Sequence, residues 1–334
     1  MTNQPQQVKK FWQDRRVFIT GGSGLVGGWL VEELLRQKAE VIVLVRDWVA
    51  NSQLLSKDTF SKATMVRGDL SDSRFLERVL AEYEIQSVIH LAAQTIVPIA
   101  NKNPLSTFES NIAGTWNLLE SCRHVRSVDS IVIASSDKAY GDAPTLPYQE
   151  DMPLRAVYPY DVSKACADMI GLSYATTWGL PIAITRCGNF FGGGDLNWNR
   201  LIPGTIRSIL RNQPPLIRSD GTLIRDYIYV EDAVSAYMVL SQKLSENHRL
   251  KGQAFNFSND TQKTALQLTN ILLEILSSDL KPVIKGDDGG EIKAQYLDSS
   301  KARQTLKWSP RFDLQEGLKK TVEWYKFHLE NSDA

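Results

Sequence analysis

Cysteine and histidine are scarce in this chain of 334 residues, which holds three of the first and four of the second. Cys122, Cys166 and Cys187 are odd in number, far apart and set in apolar or helical contexts, which suits reduced packing residues better than a disulfide framework. His90, His124, His248 and His328 show no metal-ligand spacing, so no structural or catalytic metal is expected. Net charge is missing too. Lys plus Arg and Asp plus Glu each number 38, which removes the broad field that draws a protein to nucleic acid or to an anionic membrane. Any anionic ligand must then be held by local groups. There is no stretch of about 18 apolar residues to span a bilayer, and Met1 to Lys10 is polar without an apolar signal core, so the expected location is cytoplasmic. Internal repeats, low-complexity tracts and long linkers are absent.

What is present is enough apolar residue, 43%, to bury a full core. From Arg16 to Arg186, short β-branched runs alternate with amphipathic stretches, the pattern of a parallel sheet covered by helices on both faces. The strands expected are Val17 to Thr20, Val41 to Val45, Thr64 to Val66, Ser87 to Leu91, Ser130 to Ala134 and Ile182 to Thr185. Leu30, Val31, Leu34 and Leu35 recur at helical spacing between the first two. The expected fold is α/β, a Rossmann-type doubly wound parallel sheet, with residues 1–186 mainly the dinucleotide-binding domain. Beyond Arg186 the rhythm breaks at Gly192-Gly193-Gly194, Pro203, Pro214-Pro215 and Asp220-Gly221, and Lys281-Pro282 to Gly290 reads as loop-rich. Residues 187–334 are therefore expected to form mainly a smaller, irregular α/β substrate lobe, with some interleaving of elements.

Val17 to Thr20 runs directly into Gly21-Gly22-Ser23-Gly24-Leu25-Val26-Gly27 and then a helix. In such a turn Gly21 permits the tight bend, Gly24 lets backbone approach a pyrophosphate, and Gly27 lets helix and strand pack closely. Glycines also serve plain turns and caps, but the strand before and the helix after favour a nicotinamide dinucleotide. The second strand ends in Arg46-Asp47. An Arg there pairs with a 2′-phosphate, which favours NADP over NAD, while Asp47 can reach a ribose and either residue also reads as a solvated strand end. Asp69-Leu70 is placed beside the adenine, and Leu91-Ala92-Ala93-Gln94 supplies small residues where backbone passes the cofactor.

Two further segments carry the chemistry. Ala134-Ser135-Ser136-Asp137-Lys138 follows a strand, and Tyr160 and Lys164, four apart, share one helix face. An ammonium beside a phenol favours the phenolate, so Lys164 is expected to lower Tyr160 toward working pH as a general base. A packed ring and a snorkelling amine give the same spacing by chance. Ser136 is the candidate to hydrogen-bond the Tyr160 oxygen and a substrate hydroxyl. Position within the chain, after a nucleotide turn, favours the catalytic reading.

Taken together, Gly21, Gly24, Gly27, Asn111, Tyr160 and Lys164 resemble the motifs of the extended short-chain dehydrogenase/reductase family, and specifically its nucleotide-sugar 4,6-dehydratases, over nearly the whole chain. Phe11-Trp12-Gln13, Gly27-Gly28-Trp29-Leu30, Ser136-Asp137-Lys138, Gly188-Asn189 and Gly192-Gly193-Gly194-Asp195 are similar to the CDP-glucose 4,6-dehydratases within it. Other dehydratases carry Asp-Glu where this chain has Asp137-Lys138, and the 4-epimerases carry small residues there. The resemblance implies transient oxidation at carbon 4 of a nucleotide hexose by Tyr160 and the cofactor. It further implies loss of the carbon 5 proton to Lys138, protonation of the leaving 6-hydroxyl by Asp137, and return of the hydride to carbon 6. Arg46 departs from the NAD use associated with that subfamily. An Asp beside a Lys also tends to an ion pair with the wrong proton on each partner, unless a dry pocket neutralises both.

The resemblance places Arg225 near the substrate diphosphate and Asn189 at the substrate lobe, although Arg225 also has Asp226 and Glu231 as partners and Asn189 suits a turn. Gln94, Thr95 and Arg200 complete the expected substrate set. Pro104 to Arg123 and Tyr160 to Thr177 read as long helices, and in the family such helices pair into the four-helix bundle of a homodimer. Two other functions remain open: a nucleotide-sugar 4-epimerase, which needs Tyr160 and Lys164 but not Asp137 and Lys138, and a non-catalytic regulator that binds NAD(P).

Overall fold

Val17 and Ile19 pack into one layer of the core and Phe18 into the opposite layer, all three fully buried, so the first strand is covered on both faces as its unbroken apolar run requires. The computed structural model describes residues 11–49, 52–55, 57–286 and 292–332. The polar segment Met1 to Lys10 and the end of the loop-rich stretch at Gly290 lie outside the described residues. Strands β1 (Arg16–Thr20), β2 (Glu40–Val45), β3 (Thr64–Arg67), β4 (Ser87–His90), β5 (Ser130–Ala134) and β6 (Ile182–Cys187) occupy the six expected positions. With β10 (Gln253–Phe257) they form a seven-stranded sheet in the order β10-β6-β5-β4-β1-β2-β3, every pairing parallel. The sheet thus draws on both sides of residue 186. Its order reverses between β1 and β4, where the crevice of a doubly wound sheet opens at the carboxyl ends of the strands.

Helix α1 (Leu25–Arg36) buries Val26, Leu30, Val31 and Leu34 on one sheet face, where α6 (Val230–Glu246) joins the same apolar layer. The other face is covered by α2 (Ser73–Glu82), α3 (Gly114–His124) and α4 (Pro159–Trp178). The expected single helix from Pro104 to Arg123 is interrupted by a π turn at Glu109–Ala113. The reason lies in Asn111, whose side chain accepts from Gln94 N at 2.7 Å and donates to Gln94 O at 3.1 Å and Ser163 Oγ at 2.9 Å. Turning that amide inward toward the end of β4 widens the local coil, a usual cause of π bulges at functional positions.

In the C-terminal half, β7 (Asn189–Phe191) and β13 (Ala294–Gln295) pair parallel to β9 (Ile224–Tyr229), and β11 (Gln262–Thr264) pairs antiparallel to it. A separate parallel pair joins β8 (Leu216–Ile217) to β12 (Val283–Ile284). Helices α5 (Leu201–Leu210), α7 (Ala265–Ile275) and α8 (Leu314–Ser332) pack around these short strands. Gly193 touches the Trp324 ring, Trp29 Nε1 donates to Gly193 O at 2.8 Å, and the Tyr325 hydroxyl donates to Asp195 O. The Gly192 to Asp195 loop is thereby fixed between α1 and α8.

Candidate active site

At the carboxyl end of β1 the chain turns at Gly21, whose φ is 76° and where an added Cβ would lie 2.6 Å from Ala92 N, so there is no space for a side chain. A Cβ on Gly27 would lie 2.1 Å from Gly21 O, so helix and turn touch backbone to backbone. Gly24 is different. Its nearest neighbour for a Cβ is Gly21 O at 3.4 Å, and its open side faces the cleft. Gly24 begins α1 with no side-chain cap and no acid in the first turn, leaving the helix amides and the positive end of the dipole available to an anion. These features suit a pyrophosphate.

A buried relay holds the next wall. Thr115 Oγ1 donates to Asn111 O at 2.6 Å, so His90 Nε2 donates to Thr115 Oγ1 at 3.1 Å. His90 Nδ1 then accepts from Thr20 Oγ1 at 2.7 Å, and Thr20 Oγ1 accepts from Ala92 N at 3.2 Å. Burial, helped by the Lys164 charge, holds the imidazole down at about 3, so it is neutral and supports the single tautomer this relay needs. The relay fixes the backbone of Leu91-Ala92-Ala93 beside Gly21.

One cleft of about 1620 Å³ gathers the residues expected to carry the catalysis and to bind cofactor and substrate. Its floor holds Gly21, Ser23, Gly24, Leu25, Val26 and Gly27; one end holds Arg46, Asp47, Asp69 and Leu70; and Leu91, Ala92, Ala93, Gln94 and Thr95 form a wall. Ser136, Asp137, Lys138, Tyr160 and Lys164 lie with Asn189, Arg200 and Arg225 in the same space. The volume exceeds that of a usual single-ligand pocket, about 300 to 1,000 Å³, and suits two nucleotide-sized ligands. At the β2 end Arg46 is 61% exposed and bonded to Asp47 at 2.7 Å, with Asp69 4.0 Å away. Two carboxylates therefore compete with a 2′-phosphate for this guanidinium.

Asp137 begins a 3₁₀ turn (Asp137–Tyr140) capped by Ser136, whose hydroxyl accepts from Lys138 N at 3.2 Å and donates to Asp137 Oδ1 at 3.0 Å. The turn seats Asp137 at 4% exposure, and burial holds its carboxyl above the usual range despite the opposing pull of Lys138, Ser136 and Arg225. Lys138 Nζ donates to Gln295 Oε1 at 3.3 Å. The Tyr160 phenol, 9% exposed, is hydrogen-bonded with Ser136. Contrary to the expectation of a lowered phenol, burial raises it well above its ordinary value; Ser136 and Arg200 pull downward, and Asp137 and Asp161 add to the rise. Lys164, 5% exposed, shares the helix face as expected but donates to Ala134 O at 2.6 Å. Its amine is itself lowered to about 8 by burial, against the raising effect of Cys187 and Asp168. Helical spacing sets which residues share a face; it does not set where a four-carbon stem ends or how dry the site is.

On the substrate side, Arg200 bonds Asp195 Oδ2 at 2.9 Å and Thr95 Oγ1 at 3.3 Å, tying the glycine loop to the wall after β4. Arg225 on β9 donates to Ile224 O at 2.8 Å. Trp198, Leu216, Arg218 and Tyr237 also line the cleft and had no motif to flag them.

Beside Arg225, Asp226 is fully buried, accepts from Ser258 Oγ and from Leu297 N at 3.2 Å through Oδ2, and keeps Oδ1 without a partner. Burial lifts this carboxyl to about 7. The folded protein thus keeps a proton that the unfolded chain releases above about pH 4, so this group makes stability fall as pH rises from 4 to 7. Roughly three pH units at about 1.4 kcal/mol each give an effect on the order of 4 kcal/mol. Asp226→Asn is expected to gain stability over wild type across that window. Urea unfolding at pH 4, 5.5 and 7 checks it; parallel pH dependences would contradict it.

The profile of the family described as GDP-mannose 4,6 dehydratase matches residues 18–321. The CDP-glucose 4,6-dehydratase of Salmonella typhimurium is 31% identical over 340 residues, covering 97% of this chain and 94% of that one. Among solved structures, the dTDP-glucose 4,6-dehydratase DesIV of Streptomyces venezuelae, with NAD bound, superposes with a TM-score of 0.84 at 28% identity, over 94% of this chain and 98% of that one. The UDP-glucose 4-epimerase of Thermotoga maritima, with UDP-glucose, gives 0.85 at 28% identity, over 94% and 99%.

Proposed function

This chain belongs to the GDP-mannose 4,6 dehydratase family, and from that membership we propose that it converts a nucleoside-diphosphate hexose, with CDP-glucose favoured, to the 4-keto-6-deoxy sugar. The observation that carries this reading is Asp137, buried and held above the usual carboxylate range, beside Lys138 in the cleft that also contains Tyr160.

The residues suit a nicotinamide dinucleotide. Gly21 to Gly27 and the uncapped start of α1 would hold its pyrophosphate, Arg46 or Asp47 its adenosine ribose, Asp69 and Leu70 its adenine, and Lys164 with Tyr160 the nicotinamide end. Bound there, a nicotinamide would supply a reversible hydride store for oxidation at carbon 4 and reduction at carbon 6. Tyr160, linked to Ser136, accepts the proton of the 4-hydroxyl. The ketone then acidifies the hydrogen on carbon 5, which Lys138 removes as a neutral amine. Asp137 donates its proton to the 6-hydroxyl, so the carbon–oxygen bond breaks with loss of water rather than hydroxide. Lys138, now an ammonium, returns a proton to carbon 5 as carbon 6 is reduced. Tyr160 and Asp137 recover their starting protonation from solvent. Arg225, Asn189, Arg200, Gln94 and Thr95 would hold the nucleotide sugar. For the cofactor, NAD is supported by the NAD-bound relative, and Arg46 keeps NADP as the second choice.

A 4-epimerase is the second reading, favoured by the likeness to the Thermotoga enzyme. Incubating the protein and nicotinamide dinucleotide with CDP-, dTDP-, UDP- and GDP-hexoses separates the two by mass spectrometry. Loss of one water from one of the four is expected, and an isomer of unchanged mass would replace the dehydratase reading.

We also propose a homodimer. Leu105, Trp116, Met169 and Leu172 are exposed on the Pro104 to His124 segment and on α4, an apolar surface that a second copy would cover. Light scattering is expected to give twice the chain mass, and the monomer mass overturns the proposal.

A further inference from the structure

We propose that Gln295 positions Lys138 as the proton acceptor, an inference that rests on the dehydratase reading and adds a residue to it. Gln295 lies on β13, opposite Arg225 of β9 in the parallel register, and is fully buried. It comes from 157 positions along the chain to accept a hydrogen bond from Lys138 Nζ at 3.3 Å. Its side chain also hydrogen-bonds the Tyr148 hydroxyl, which itself donates to Gly141 O at 2.6 Å, so the amide is held from both ends. A fully buried amide that turns its oxygen to a lysine amine calls for an explanation beyond packing.

The chemistry supplies one. A lysine that is to take a proton from carbon must present a lone pair, and a carboxylate partner would hold it as an ammonium. An amide oxygen fixes one N–H and the direction of the nitrogen while adding no charge. Asp137 next in sequence is itself kept toward its protonated form by burial, so it does not serve as a full counter-ion. Gln295 thus gives the Lys138 amine an uncharged acceptor, beside an Asp137 whose carboxyl burial holds above its usual range, and leaves a lone pair of the amine for carbon 5.

Gln295→Glu and Gln295→Met keep nearly the same side-chain size and act in opposite directions on the amine. Lys138 titration is followed on the folded protein by pH-dependent amine labelling and mass spectrometry, without any sugar. The proposal expects Gln295→Glu to raise the Lys138 midpoint by one pH unit or more and Gln295→Met to lower it or leave it in place. With substrate, Gln295→Glu is expected to slow deuterium incorporation at carbon 5 from D₂O at least tenfold at pH 7, more than it slows oxidation, and to move the pH profile of dehydration upward. An unshifted Lys138 midpoint in Gln295→Glu, or equal losses of oxidation and dehydration with an unmoved pH profile, overturns the proposal. The labelling result stands even if no nucleotide sugar is dehydrated, so failure of Gln295 and failure of the dehydratase reading are read separately.

Discussion

Tyr160→Phe is expected to slow oxidation of the sugar by about 10³-fold, within the range a positioned acid or base contributes, while the melting temperature stays within a few degrees of wild type. The ring is packed against the cleft floor and only its oxygen is removed, so the change takes away a hydrogen bond to Ser136 and a proton acceptor but no apolar contact. Burial holds the phenol high, which keeps the isolated group protonated at neutral pH and so unable to take a proton by itself. Its reactivity must come from groups assembled around it: Ser136 bonded to its oxygen and the charge of Arg200, with Lys164 four residues on along the same helix. Because the Lys164 amine titrates at about 8, its positive charge is present below that pH and fades above it. Oxidation in the wild type is therefore expected to lose part of its electrostatic support as pH passes 8. Single-turnover absorbance of the nicotinamide, read from pH 6 to 9.5 in wild type and Tyr160→Phe, checks both statements. A variant that oxidises the sugar at near wild-type rate removes Tyr160 from the mechanism.

The parts of this site that could be read in the sequence are those whose physics is local. The glycine turn follows a strand and starts a helix, so Gly21, Gly24 and Gly27 needed only their neighbours in the chain to be placed. Five of the six strands showed themselves as short apolar runs because both their faces are covered, while β3, at the sheet edge, buries only Val66. Tyr160 and Lys164 share a face because a helix repeats every 3.6 residues. What escaped was set by tertiary structure. Strand β10 returns to the sheet from far along the chain. Gln295 reaches Lys138 only because β13 pairs with β9, and nothing around it in the sequence marks it. The direction of the Tyr160 shift was missed for the same reason, since burial depends on what other segments place over the ring. Arg46 was read as a partner for a 2′-phosphate and Asp47 for a ribose, and the structure pairs them with each other.

Lys138→Met is expected to separate the two halves of the reaction. The sugar would still be oxidised at carbon 4, because Tyr160, Ser136 and Lys164 remain, but exchange of the carbon 5 hydrogen with solvent and loss of water would fall by about 10² to 10⁴. The aliphatic stem of Met fills the space of the Lys stem, so the change removes the amine and little else. Asp137→Asn would isolate the other half of the elimination. Carbon 5 exchange would continue, since Lys138 is intact, while water loss falls, since an amide gives no proton to a leaving hydroxyl. The two variants thus predict opposite patterns in one experiment, deuterium uptake at carbon 5 against product mass in D₂O. The pair also discriminates between reactions on this fold: epimerisation at carbon 4 needs neither residue, so an epimerase would lose little turnover in either variant. If Lys138→Met dehydrates at the wild-type rate, the base lies elsewhere in the cleft; if both variants leave all activity intact, Asp137 and Lys138 are only the strand-end pair that their adjacency first allows.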